Sequence, residues 1–122
     1  MVIEVTRVYE QPKGEVSTKF LVDRLWPRGM RKEELEGVTW VRDVAPSAAL
    51  RKWFGHDPEK WHGFMLRYFK ELDQHPEVWQ PILEAAKAGP VTLLYGAKDT
   101  KHNQAVALRR YLEAKLRHRR AS

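Results

Sequence analysis

Cysteine is missing from all 122 residues. Its absence excludes disulfides, thiolate nucleophiles and cysteine-ligated zinc or iron–sulfur centres in one step. No apolar run approaches the ~20 residues of a membrane-spanning helix, and the N-terminus lacks a signal-peptide pattern. A cytoplasmic protein without membrane contact is therefore expected. The five histidines, at 56, 62, 75, 102 and 118, show no tight ligand spacing, so no metal site is expected. Neither a Gly-rich phosphate loop nor a catalytic-serine elbow occurs. No cofactor is expected.

What remains is the material of one soluble-type domain, residues 1–122. Hydrophobic residues make up 43% and charged residues 31%, which is ordinary for a globular chain that can bury a proper core. The net charge of +6 suggests nucleic acid, but its location matters. Residues 109–122 hold six basic side chains against Glu113 alone, +5, while the other 108 residues carry 16 basic and 15 acidic groups, +1. The body is nearly neutral, and the high pI belongs to the last helix and its basic tail, about residues 117–122. Cations there suit the helix dipole, or they form a phosphate-binding tail.

Alternation in "VIEVTRVY", residues 2–9, predicts a first strand. "STKFLVDRL" holds a second, about Lys19 to Asp23, whose consecutive apolar residues suggest burial on both faces. "RKEELE" reads as one or two helical turns. "VTWVRDVAP" reads as extended or irregular, with Trp40 plugging the core. Ser47 is a good N-cap for "AALRKWF". Asp57 caps the next helix, with Pro58 at its first position. There Trp61, Phe64, Met65, Tyr68, Phe69 and Leu72 make a full amphipathic stripe, which predicts core. Residues 76–88 form another helix, ended by Gly89 and Pro90. "VTLLY", residues 91–95, is the clearest strand, and a last helix spans about Lys101 to Arg117. Strands separated by helices predict an α/β fold: one three-layer domain, a small, mostly parallel sheet flanked by helices.

Two buried-looking strands run into polar loops, "DRLWPRG" and "YGAKDTKHN". In open α/β sheets ligands bind beyond the carboxyl ends of the strands. Parallel neighbours would bring these loops to one site holding Asp23, Arg24, Trp26, Arg28, Tyr95, Lys98, Asp99 and Asn103. Two arginines and a lysine suit a phosphate or carboxylate, and Trp26 or Tyr95 could stack on a planar ring. Each residue also has a structural reading. Asp23 and Arg24 could pair internally, Trp26 could plug the core, and Asp99 or Thr100 could cap the last helix. His56, between Gly55 and Asp57, could act as acid or base, or could shape its turn.

Several long stretches carry a resemblance. "RVYE", "FLVDRLWPRG", Trp40 followed by "DVAPSAALRKWFGHDPEKW", "RY" then "EL", and "VTLLYGAKDTKHNQAVAL" together resemble the YeaO-like family of small bacterial proteins of unknown function. The likeness runs over nearly the whole chain. It implies a wider group in which a strand ending in an Asp, Arg, Pro and Arg pattern pairs with a later strand and a helix start. Many members of that group carry cysteines around the later loop, where this chain has "YGAKDTKHN". The resemblance supports the two-loop site and supplies no reaction.

The leading expectation is a protein that binds a small anionic ligand, a nucleotide or a phosphate or carboxylate metabolite. Arg24, Arg28 and Lys98 would meet the anion, with Arg28 facing the ligand and Arg24 held by an internal partner. Trp26 and Tyr95 would wall the pocket, and Asp23, Asp99 and Asn103 would fix polar groups. Asp99 or His56 would be the base if chemistry occurs. The alternatives are a nucleic-acid-binding module using the Arg-rich last helix, and a structural or interaction protein whose charged motif is scaffolding.

Overall fold

The computed structural model describes residues 2–11 and 16–121, with side chains of the last helix described as far as Arg117. Four strands, β1 (Ile3–Arg7), β2 (Thr18–Leu21), β3 (Thr39–Trp40) and β4 (Val91–Tyr95), form one sheet in the order β1-β4-β2-β3. Every pairing is parallel. All five residues of β4 are buried, which is why "VTLLY" shows no polar alternation: a central parallel strand has no wet face. The helices are α1 (Ala48–Phe54), α2 (Trp61–Gln74), α3 (Pro76–Ala88) and α4 (Gln104–Ala121).

The pleat sorts the core into two clusters. Phe20, Val22, Val91, Leu93 and Tyr95 lie on one face and pack with the buried residues of all four α-helices. Leu21 and Leu94 point the other way, against Val8 and Leu35, with Met30, Val38 and Trp40 beside them. The third layer is thus thin. It is a 3₁₀ turn, Lys32–Leu35, with its flanking apolar side chains, rather than an α-helix.

Local signals act as the sequence suggests. The Ser47 hydroxyl accepts from Leu50 N–H and caps α1. Asp57 accepts from Glu59 N–H and opens the 3₁₀ turn that leads into α2. Phe64, Met65, Tyr68 and Leu72 bury the α2 stripe, and the Tyr68 hydroxyl donates to Val44 carbonyl at 2.5 Å. Trp40 is half-buried in an edge strand only two residues long, within the stretch expected to be extended or irregular. α4 starts at Gln104, three residues later than expected, because Asn103 serves as its cap. The basic side chains beyond Arg117 lie outside the described residues. Among the described residues, no helix is long and apolar enough to cross a membrane.

Candidate functional site

The carboxyl ends of β2 and β4 lie side by side, since the strands are parallel neighbours. The chain leaving β2 turns toward Met30 and Leu35 on one face. The chain leaving β4 enters α4 on the other. Neighbouring strands whose connections part to opposite faces leave a crevice between them. Asp23 bridges it: one carboxylate oxygen accepts from Gly96 N–H at 2.8 Å and the other from the Gln104 side-chain amide. Burial raises its pKa from 3.8 to about 6, against the lowering effect of those two hydrogen bonds. A Cβ on Gly96 would stand 3.0 Å from the Asp23 carboxylate, so glycine is what lets the two loops approach.

A cleft of about 530 Å³ opens here, walled by Tyr9, Asp23, Arg24, Trp26, Arg28 and Arg51, with His56 and Gln104 at its inner end. The β2 loop is propped from outside. Trp26 Nε1 donates to Met30 carbonyl and Trp40 Nε1 to Asp23 carbonyl, both at 2.7 Å, and the two indoles meet edge to face at 5.4 Å. The Tyr9 hydroxyl donates to Arg28 carbonyl at 2.7 Å. Trp26 nevertheless keeps 36% of its surface exposed and Leu25 69%.

Pro46, Arg51, His56 and Gln104 also wall a smaller chamber of about 150 Å³, completed by Phe54, Phe64, His102 and Asn103. Arg51 Nε is buried without a hydrogen-bond partner, as is Arg109 Nε elsewhere among the described residues. Buried polar atoms are nearly always paired, so an orphaned guanidinium N–H beside a cavity calls for a reason. His102 Nδ1 lies 2.9 Å from Asp99 Oδ2.

The structure brings Asp23, Arg24, Trp26, Arg28 and His56 to one cleft, puts Asn103 on the smaller chamber beside it, and leaves Tyr95, Lys98 and Asp99 off both. Tyr95 is buried in the core. Lys98 is exposed and stands outside both chambers. Asp99 shapes the turn before α4: one oxygen accepts from Lys101 N–H and His102 N–H, both at 2.9 Å. These bonds hold its pKa down at about 2, which makes it a poor proton acceptor. Asn103 lines the inner chamber, but its amide donates to Asp99 carbonyl and its oxygen accepts from Val106 N–H. The expected internal partner of Arg24 is not Asp23, whose oxygens are taken by Gly96 and Gln104. Arg24 is exposed, as is Arg28. Sequence reasoning missed Arg51, His102, Gln104 and Tyr9 as site residues. Only the position of Gln104 beside the expected helix start offered a hint.

His56 adopts φ 57°, the one positive-φ residue other than glycine among the described residues. It follows Gly55, at φ 53°, so two successive left-handed residues swing the imidazole toward both chambers. Strain of that kind costs ~1–3 kcal/mol and tends to sit at functional positions. His56→Gly removes the strain but adds unfolded-chain freedom. Stability should then stay within about 1 kcal/mol of the parent in denaturant unfolding. A loss of several kcal/mol would show that the ring is a structural prop instead.

The chain matches the family model described as "Inactive DUF488-N3 subclade" over residues 2–122. It is 38% identical over 114 residues to "Uncharacterized protein YeaO" of Escherichia coli (strain K12), covering 93% of this chain and 99% of that one. It is 44% identical over 70 residues to "Uncharacterized protein Rv3073c" of Mycobacterium tuberculosis (strain ATCC 25618 / H37Rv), covering 57% of this chain and 59% of that one. No solved structure matches it.

Proposed function

This chain belongs to the YeaO-like proteins of the inactive DUF488-N3 subclade, and we propose that it binds a small anionic ligand in the two-chamber cleft without turning it over. The observation that carries the reading is an excess of uncompensated positive charge. Arg24, Arg28 and Arg51 wall the cleft, none is in an ion pair among the described residues, and the single acid on the wall is Asp23. Asp23, whose pKa burial raises to about 6, offsets one of the three cations at most. Guanidinium groups prefer planar, doubly hydrogen-bonded contact with phosphate or carboxylate. Binding without catalysis agrees with the family's description as inactive. It also agrees with a cysteine-free chain and with an Asp99 already committed to its turn.

Thermal unfolding in the presence of inorganic phosphate and phenyl phosphate tests the reading. A ligand at about 100 times its Kd adds ~2.7 kcal/mol. Arg24→Ala and Arg28→Ala should each leave the unliganded protein within ~0.5 kcal/mol of the parent, as expected for exposed, unpaired side chains. Both should shrink the ligand-induced shift. Deleting residues 117–122 should leave that shift intact and change stability little, because Arg117 is exposed and Leu116 is the last buried residue described. A shift that survives both arginine substitutions but vanishes with the deletion would move binding to the basic helix end and favour a nucleic-acid partner.

A further inference from the structure

The cleft has two chambers of different size and chemistry. At about 150 Å³ the inner one has the volume of roughly five waters, at ~30 Å³ each, so it fits a group rather than a whole ligand. The outer one, about 530 Å³, falls within the usual range for a small-molecule site. We propose that the inner chamber seats a phosphate group on Arg51, His56 and His102, and that the ligand is a small phosphate monoester whose planar ring lies against Trp26 in the outer chamber. This deepens the anion-binding reading above and rests on it.

Three observations converge. The first is Arg51, which lines both chambers, makes no ion pair among the described residues and keeps its Nε buried without a partner. The second is the geometry of His102. Asp99 is held ionised by two backbone N–H groups and takes the Nδ1 side of the ring. That leaves Nε2 as the nitrogen available to a ligand, so Asp99 is a positioning residue. A phosphate monoester, whose second pKa is ~6, suits such a nitrogen in either state. Its P–OH can donate to a neutral ring, and its dianion can accept from a protonated one. A carboxylate, fully ionised near neutral pH, has only the second option. The third is direction. Arg51 comes from α1, His56 from the turn after it and His102 from the turn before α4. Polar groups on three elements suit the tetrahedral oxygens of a phosphate better than the two coplanar ones of a carboxylate. In the outer chamber, the partly exposed Trp26 ring is braced edge-on by Trp40, which leaves an indole face for a planar group.

Titration calorimetry on the full chain, with phenyl phosphate, inorganic phosphate and benzoate as probes, separates the parts. Phenyl phosphate should bind more tightly than inorganic phosphate, and benzoate more weakly than phenyl phosphate. Arg51→Gln should weaken both phosphates by about 10–100-fold, the worth of a charge-assisted hydrogen bond. Should that variant fail to fold, His102→Gln carries the same test, with a smaller loss for both phosphates. Trp26→Leu should remove only the advantage of phenyl phosphate over inorganic phosphate. If Arg51→Gln and His102→Gln bind phosphate like the parent while Arg28→Ala does not, the phosphate sits in the outer chamber. The inner seat then falls and the anion-binding reading stands. Benzoate binding as tightly as phenyl phosphate would overturn the phosphate assignment. If the parent binds none of the three probes, the anion-binding reading falls and takes this one with it.

Discussion

Asp23→Asn should make the protein more stable at pH 8, by ~2–3 kcal/mol, and no more stable at pH 4. The carboxyl titrates near 3.8 when free and at about 6 in the folded chain, with burial the main cause. Between those pH values the folded chain holds a proton that the unfolded chain has released. The stabilising share of this group is therefore complete below pH ~4 and is lost as pH rises through ~6. Above that, the folded protein carries a half-buried charge with two hydrogen bonds and no ion pair among the described residues. Asparagine keeps the shape and the oxygen that accepts from Gly96 N–H. Gln104 can then turn its amide so that its own oxygen accepts from the new side chain. The charge penalty disappears and the bridge across the crevice survives. The melting temperature at pH 8 should rise by roughly 5–15 °C, and denaturant unfolding between pH 4 and 8 should lose the parent's decline. Parallel pH–stability curves for the two proteins would show that the carboxylate is not destabilised by its setting. A carboxylate that costs stability on the wall of an arginine-lined cleft is the kind of local conflict that functional sites retain.

The readable parts of this fold are those governed by near neighbours in sequence. The α2 stripe, the Ser47 cap, the Gly89–Pro90 stop and the apolar run of β4 each follow from residues within a few positions, and the structure has them all. For β3 the sequence could not separate extended from irregular chain, because two residues carry no periodicity; the strand is held where Val41 N–H donates to Leu21 carbonyl and Trp40 Nε1 to Asp23 carbonyl. The site divides in the same way. Arg24, Trp26 and Arg28 stand out as an odd segment after a strand, and they do reach the cleft. Arg51 and His102 face one chamber across fifty residues of chain, and nothing local marks either. Asp99 misled in the opposite sense. An Asp followed by free N–H groups two and three residues on is a turn-forming unit. Here that local bond claims the carboxylate that the sequence reading offered as a base.

Leu35→Ala should cost ~2–4 kcal/mol and weaken ligand binding at a site that Leu35 does not line. One face of the sheet packs with four α-helices, whereas the buried cover of the other, among the described residues, is Val8 and the short segment around Leu35. Leu35 is 4% exposed there, against Leu21 and Leu94 at 0%. Truncation leaves a cavity beside two fully buried strand residues. A 3₁₀ turn of four residues has little neighbouring structure that can collapse into it. The same segment supplies the Met30 carbonyl that holds the Trp26 indole, and it leads into Trp40, which holds the Asp23 carbonyl. Loosening the cover therefore releases the outer wall of the cleft from behind. Leu66→Ala is the control: Leu66 is 52% exposed on α2, and its loss should cost under ~0.5 kcal/mol. Denaturant unfolding gives the stability difference. Titration of phenyl phosphate under conditions where both variants remain folded gives the affinity difference. A Leu35→Ala protein as stable as the control would mean that the thin layer does not close the sheet. One that is destabilised yet binds like the parent would mean that the β2 loop holds its shape without the segment beneath it.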